Sequence, residues 1–176
     1  MGIEGTIARV YFQTLGQVLP PDYQFERRSR RPARDVFNAA LNYLYGMLYS
    51  VVESGLFAAG LDPHLGILHA DAYHKPTLAF DLIEAFRPWV DRILLELCLS
   101  EELLSSFFTR NQHGLFLNKK GKALLIPHFN GWLQERRKFQ YRELTTRNHI
   151  YHTAGQLAVR LRGFSPLAPT PTNPKT

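Results

Sequence analysis

His69 stands in a turn after the short apolar run Leu65-Gly66-Ile67-Leu68, and Asp81 and Glu84 follow three residues apart near the start of a predicted helix. Residues at i and i+3 share a helix face. Two acids on one face, close to a histidine on the incoming loop, make a bed for a hard divalent cation or for acid/base chemistry. The same acids in a first helical turn also suit the helix dipole without doing any chemistry. The local pattern leaves both readings open. Glu4, set between glycines at positions 2 and 5, and Glu53, a charge inside a long apolar stretch, are further candidate acids. Glu53 reads equally as the cap of an exposed helix end.

The second chemical feature is charge. Arg27, Arg28, Arg30, Arg31 and Arg34 fall within eight positions of a loop, and the whole chain carries 21 Lys and Arg against 15 Asp and Glu, a net +6. Arginine matches phosphate bidentately, so this loop reads as a phosphate-facing strap or as a solvated connection, and the overall balance favours a polyanion such as nucleic acid. His149 and His152 share a helix face but lack a nearby third ligand in sequence. The single cysteine, Cys98, lies in an apolar helical pattern. It reads as a buried small hydrophobe in a protein of the reducing cytoplasm. No P-loop, dinucleotide glycine motif, paired cysteine ligands or nucleophile elbow is present in the sequence.

The elements that must position these residues follow from periodicity. Ile3, Ile7, Val10, Tyr11, Leu15 and Val18 recur at helical spacing, which predicts a helix with that stripe inward and with Ala8 and Tyr11 as the neighbours of Glu4. Pro20-Pro21 ends it. Asp35 is the N-cap of a central helix running through Phe37, Leu41, Leu44, Leu48, Val52 and Leu56 to Gly60. That stretch contains Asn42, Glu53 and three tyrosines, so it reads as a core helix and not a membrane span. The helix bearing Asp81 and Glu84 continues to Ser100 with a bend at Pro88. Ser100-Glu101-Glu102 predicts a short helix reaching Arg110, residues 115–126 a short hairpin or an extended segment entering a helix, and Pro127 argues against a long uninterrupted helix there. Phe129 to Lys138 and Tyr141 to Arg162 complete the set as helices with basic residues outward.

The resulting expectation is an all-α fold, a mainly α-helical bundle over residues 1–163, with a proline-rich disordered tail over 164–176. At 45% hydrophobic and 20% charged residues the rest is globular and large enough for one core. Residues 1–10 lack the basic start and apolar run of a secretory leader.

Five ordered segments carry a resemblance. Gly2-Ile3-Glu4-Gly5, Arg31-Pro32-Ala33-Arg34-Asp35 with Asn38-Ala39-Ala40-Leu41-Asn42-Tyr43, Ala58-Ala59-Gly60-Leu61-Asp62-Pro63, Leu65-Gly66-Ile67-Leu68-His69, and Phe80-Asp81-Leu82-Ile83-Glu84-Ala85-Phe86-Arg87-Pro88 resemble the CRISPR adaptation integrase family, the first of the Cas proteins. A Tyr-Arg-Glu-Leu segment near the C-terminus extends the likeness to nearly all of the chain except its tail. The resemblance implies a metal-dependent DNA endonuclease and integrase that inserts short foreign DNA into a CRISPR array together with the second Cas adaptation protein. It implies Glu4, His69 and Glu84 as ligands of Mn²⁺ or Mg²⁺, Asp81 as a supporting acid, and a homodimer in the full-length family. Glu53 is not carried over. Such a Glu/His/Glu set mixes oxygen donors with one imidazole and leaves positions open for a phosphate oxygen.

Members of that family carry a β-rich domain ahead of the Gly-Ile-Glu-Gly motif, whereas this chain begins at the motif. The expectation is therefore a catalytic C-terminal lobe; the alternative is a catalytically inactive helical DNA-binding or interaction module. A weaker third reading is a metal-free acid/base hydrolase using Asp81 or Glu84 with His69.

Overall fold

In the computed structural model, which describes residues 3–64, 77–139 and 141–163, the chain runs α1 (Ile3–Val18), α2 (Val36–Ala58), α3 (Thr77–Ile83), α4 (Arg87–Leu99), the strand pair β1 (Phe108–Asn111) and β2 (Gly114–Leu117), α5 (Lys119–Gln134), the pair β3 (Arg136–Phe139) and β4 (Arg142–Thr145), and α6 (Thr146–Gly163). His69 and the 164–176 tail lie outside the described residues. Glu4 is described only by its place on α1.

Asp35 starts the central helix as its sequence position predicts. Its Oδ1 accepts the backbone N–H of Asn38 at 2.7 Å, filling one of the donors that a helix start leaves open. Phe37, Leu41, Leu44, Leu48, Val52 and Leu56 then lie along the buried side of α2 with no exposed surface. Each such side chain contributes about 1.5–3 kcal/mol by leaving water, so α2 is the axis on which α3, α4, α6 and β2 pack. The helix ends where Gly60 takes φ +74° and the Leu61 N–H reaches back to the Leu56 carbonyl at 3.0 Å.

The fold is mostly helical, but it contains two small antiparallel strand pairs, of which β1, β3 and β4 replace segments expected to be helix. Glu101 adopts φ +56° after α4, and the aromatic run that follows extends into β1 instead of the predicted 100–110 helix. Of the two readings of 115–126 the extended segment entering a helix holds: Leu115 to Leu117 is strand, paired with an upstream partner, Phe108 facing Leu117. From Lys119 the chain is α-helical, straight through Pro127. Proline removes the donor to the carbonyl four residues back; here that is Ala123, an exposed residue, so the lost bond falls on the solvent side of the helix. Arg136, Arg137 and Lys138 form β3 and not a basic helix end, and α6 starts at Thr146, not Tyr141.

Two further expectations shift. The helix expected to bend at Pro88 breaks: α3 stops at Ile83, Glu84 to Phe86 form a turn, and α4 restarts with Pro88 in its first turn, where a missing N–H costs nothing. The inward face of α1 is Phe12, Leu15 and Leu19, while Ile7, Val10 and Val18 are 63%, 53% and 57% exposed. The apolar stripe read from spacing thus straddles the buried face instead of coinciding with it. No helix among the described residues is long and apolar enough to cross a membrane.

Candidate active site

The loop that bears His69 is tied at its base. Thr77 Oγ1 donates to the His64 carbonyl at 2.8 Å, and the Leu78 N–H to the Pro63 carbonyl at 2.9 Å. Both bonds are made at the N-terminus of α3, the helix that carries Asp81 and leads to Glu84. Asp81 is half-buried on α3. Glu84, in the turn beyond, has a 48% exposed side chain and pairs with Arg87 three residues on. The Arg87 guanidinium lies over the Tyr45 ring, 5.1 Å from its centroid, so the residue that holds Glu84 is itself held by α2.

A cleft of about 600 Å³ opens between α1 and this turn, with Ala8, Tyr11, Arg28, Tyr45, Glu84, Arg87 and Asp91 among its walls. Its floor is a buried carboxylate. Asp91 on α4, 3% exposed, accepts the Tyr11 hydroxyl at 2.7 Å from α1 and the Tyr45 hydroxyl at 2.6 Å from α2. Burial pushes the Asp91 carboxyl above the usual range, while its two phenol donors and the nearby Arg28 and Arg87 charges pull it back. Burial and the Asp91 carboxylate together push both phenols above the usual tyrosine range, which keeps them as donors. One carboxylate thus joins α1, α2 and α4 at the back of the cleft.

The five loop arginines divide. Arg28 turns inward: Nη1 donates to Ser29 O at 2.6 Å and Asn38 Oδ1 at 2.8 Å, Nη2 to Asn42 Oδ1 at 2.6 Å, and the guanidinium lies near the Phe12 and Tyr45 rings. Burial lowers its pKa to about 10, so it stays a cation at neutral pH. Arg27, Arg30, Arg31 and Arg34 are exposed. Asn42 also donates to the Arg30 carbonyl at 2.7 Å, and Asn38 to the Arg27 carbonyl at 3.1 Å, so polar side chains of α2 fix the loop backbone. From the other side β2 braces it, with the Leu115 N–H on the Ala33 carbonyl at 3.1 Å.

The remaining candidates fall elsewhere. Glu53 sits by Tyr49, whose phenol burial and that charge push up to about 12. His149 is 2% exposed, its Nε2–H donating to the Arg137 carbonyl at 2.7 Å between the Trp89 and Phe139 rings, and so serves the core. Cys98 is buried, as expected. Among the described residues no three His, Cys, Asp or Glu side chains stand together as a metal group. Glu84 offers an accessible carboxylate at the cleft rim, and the backbone position of Glu4 is one turn before Ala8, which lines the same cleft.

Sequence reading missed Asp91, Tyr45 and Arg87 as site residues. The available signal was an acid at position 91 inside the apolar run of α4, seven residues, about two turns, after Glu84.

The family model described as CRISPR associated protein Cas1 matches residues 1–131. A CRISPR-associated endonuclease Cas1 of Thermus thermophilus is 43% identical over 135 residues, covering 76% of this chain and 42% of its own length. A casposase solved bound to its integration product superposes with TM-score 0.85 at 30% identity, covering 94% of this chain and 48% of that one. A chain of a Cas6-RT-Cas1–Cas2 complex gives TM-score 0.80 at 28% identity, over 91% of this chain and 18% of that one. The chain spans about half the length of the curated relatives it matches. Its ordered motifs, its helical architecture and the family model over most of its length agree: the chain belongs to the CRISPR associated protein Cas1 family.

Proposed function

We propose that this chain is the helical catalytic lobe of a metal-dependent DNA endonuclease and integrase of CRISPR adaptation, acting with the second Cas adaptation protein and, in the assembled protein, as a homodimer. The observation that carries the reading is one cleft lined both by Glu84 and by Ala8 and Tyr11 of α1, the helix that carries Glu4. The likeness to a casposase bound to its integration product and to a Cas1–Cas2 complex supports DNA and the second Cas protein as partners.

Glu4, His69 and Glu84 would hold Mn²⁺ or Mg²⁺, an ion that when bound polarises the scissile phosphate and stabilises the leaving 3′ oxygen. The chain supplies the rest. Arg87 keeps the Glu84 carboxylate at the rim, and Asp81 adds negative charge one helical turn away. The exposed arginines of the 27–34 loop bind backbone phosphates, with affinity that falls as salt rises. In cleavage a water oxygen bonds to phosphorus as the P–O3′ bond breaks and the 3′ oxygen takes up a proton. In integration the incoming DNA 3′-hydroxyl makes that bond instead, so no side-chain nucleophile is required.

The test is cleavage of branched and linear DNA with Mn²⁺, with Mg²⁺ and with chelator, comparing the parent chain with His69→Ala. Metal-dependent cleavage that His69→Ala abolishes is the expected result. DNA binding with no cleavage in any metal would instead identify an inactive binding module, and cleavage that persists in chelator would point to metal-free hydrolysis.

A further inference from the structure

We infer that Tyr141 is a stacking platform for an unpaired DNA base, presented at the tip of a basic hairpin. The inference rests on the DNA reading above and adds a contact that the cleft and the arginine loop do not supply.

The β3–β4 register pairs Phe139 with Arg142, which leaves the two residues at positions 140 and 141 as the connection. Two-residue hairpin loops need positive φ and so favour glycine and asparagine. Here Tyr141 takes φ +65°. A bulky side chain in that region is strained, and strain of this kind persists where something other than the fold rewards it. Tyr141 returns nothing to the fold, because it is 100% exposed and buries no surface.

The root of the hairpin is rigid. Phe139 packs edge-on against Trp89 with centroids 5.2 Å apart, and against His149 at 5.8 Å. His149 in turn ties the Arg137 carbonyl. An aromatic ring held out on an anchored element keeps both faces free at little further loss of conformational freedom on binding. Beside it on the two strands Arg142 and Lys138 are exposed cations, and the exposed Glu143, opposite Lys138, is the acid between them. A flat ring among cations suits a nucleic-acid strand: the base stacks on the ring and the flanking phosphates meet the cations. Duplex DNA hides its base faces except at ends, so the ligand is a single strand or a frayed end.

The test is fluorescence anisotropy of a labelled oligothymidine and of a closed-end duplex titrated with the full chain, with Tyr141→Asn and with Tyr141→Phe, alongside thermal unfolding of each. Asparagine tolerates the left-handed backbone and removes the ring. Tyr141→Asn is expected to lose roughly 5- to 100-fold in single-strand affinity, to keep its duplex affinity, and to unfold at a temperature no lower than the parent. Tyr141→Phe is expected to bind as the parent does. Parental single-strand affinity in Tyr141→Asn overturns the inference, as does a loss that Tyr141→Phe shares or one accompanied by a lower unfolding temperature. A parent that binds and cleaves duplex but ignores single strands keeps the proposed function and loses this inference; a parent that binds neither loses both.

Discussion

Tyr11 of α1 donates a 2.7 Å hydrogen bond to Asp91 of α4, eighty residues away in sequence, and the bond crosses the floor of the cleft that Glu84 lines. It matters because the first half of α1 is otherwise poorly held. Residues 5 to 10 are all exposed, and Phe12, Leu15 and Gly16 seat the second half of the helix. Among the residues whose side chains are described, the Tyr11 hydrogen bond is the firm attachment nearest the turn that carries Glu4.

Tyr11→Phe should cost about 2 kcal/mol, the order expected for a hydrogen bond to a charged acceptor that leaves a buried oxygen short of a donor. The loss should be local. Hydrogen exchange of α1 amides should accelerate while that of the α2 interior stays at the parental rate. Equal exchange in α1 of both proteins would mean that Phe12 and Leu15 alone hold the helix.

Asp91→Asn tests the charge separately from the contact. Burial raises the Asp91 carboxyl in the folded chain, against Tyr11, Tyr45, Arg28 and Arg87, which pull it back. A folded pKa above the unfolded one means that the folded state holds the proton more tightly. The stability owed to this group is thus fully present below about pH 4, the unfolded value, and declines as pH rises through the raised folded value. Asparagine carries no charge at any pH. The urea midpoint of Asp91→Asn minus that of the parent should therefore increase from pH 4 towards neutrality; a difference independent of pH would show that the Asp91 carboxyl is not raised by its burial.

What the sequence made legible tracks how local the cause is. The N-cap at Asp35, the apolar run of α2 and the burial of Cys98 depend on neighbours a few residues away, and each appears as read. Glu84 and the arginine loop stood out by residue type. Asp91 did not, because its partners Tyr11 and Tyr45 lie 80 and 46 residues off, and no spacing rule reaches that far. Strands β3 and β4 were illegible for a related reason: Arg136-Arg137-Lys138-Phe139 is too short and too charged to show alternation, and it is extended because β4 pairs with it. The α1 stripe was misphased, since Ile7, Val10 and Val18 are more than half exposed.

The division of the arginines gives a two-part expectation. Arg30→Ala removes an exposed charge and should lower the salt dependence of DNA binding by about one unit of slope, with stability unchanged. Arg28→Lys keeps the charge but cannot reproduce the fork that joins Ser29, Asn38 and Asn42. It should lose about 1–3 kcal/mol of stability from the acceptors left unpaired. Protease cleavage within the 26–34 loop should appear in Arg28→Lys and not in Arg30→Ala. The reverse pattern would show that Arg28 binds the ligand and that Arg30 supports the fold.

The outer brace of that loop depends on one residue without a side chain. Gly114 begins β2 at φ +121°, and a Cβ there would stand 2.5 Å from Pro32 Cβ and 3.2 Å from the Ala33 carbonyl oxygen. Alanine would meet both a disfavoured backbone and a rigid proline ring that cannot give way. Each effect is of order 1–3 kcal/mol, so Gly114→Ala should lose at least about 2 kcal/mol. The damage should reach the loop, because moving β2 away breaks the Leu115 to Ala33 hydrogen bond and the Arg110 contact with the Arg34 carbonyl at 3.2 Å. DNA affinity at low salt should then fall although no loop arginine has been changed. Thermal unfolding and anisotropy on the same variant separate the effects: a lower unfolding temperature with parental DNA affinity would show that the hairpin stabilises the fold without presenting the arginines.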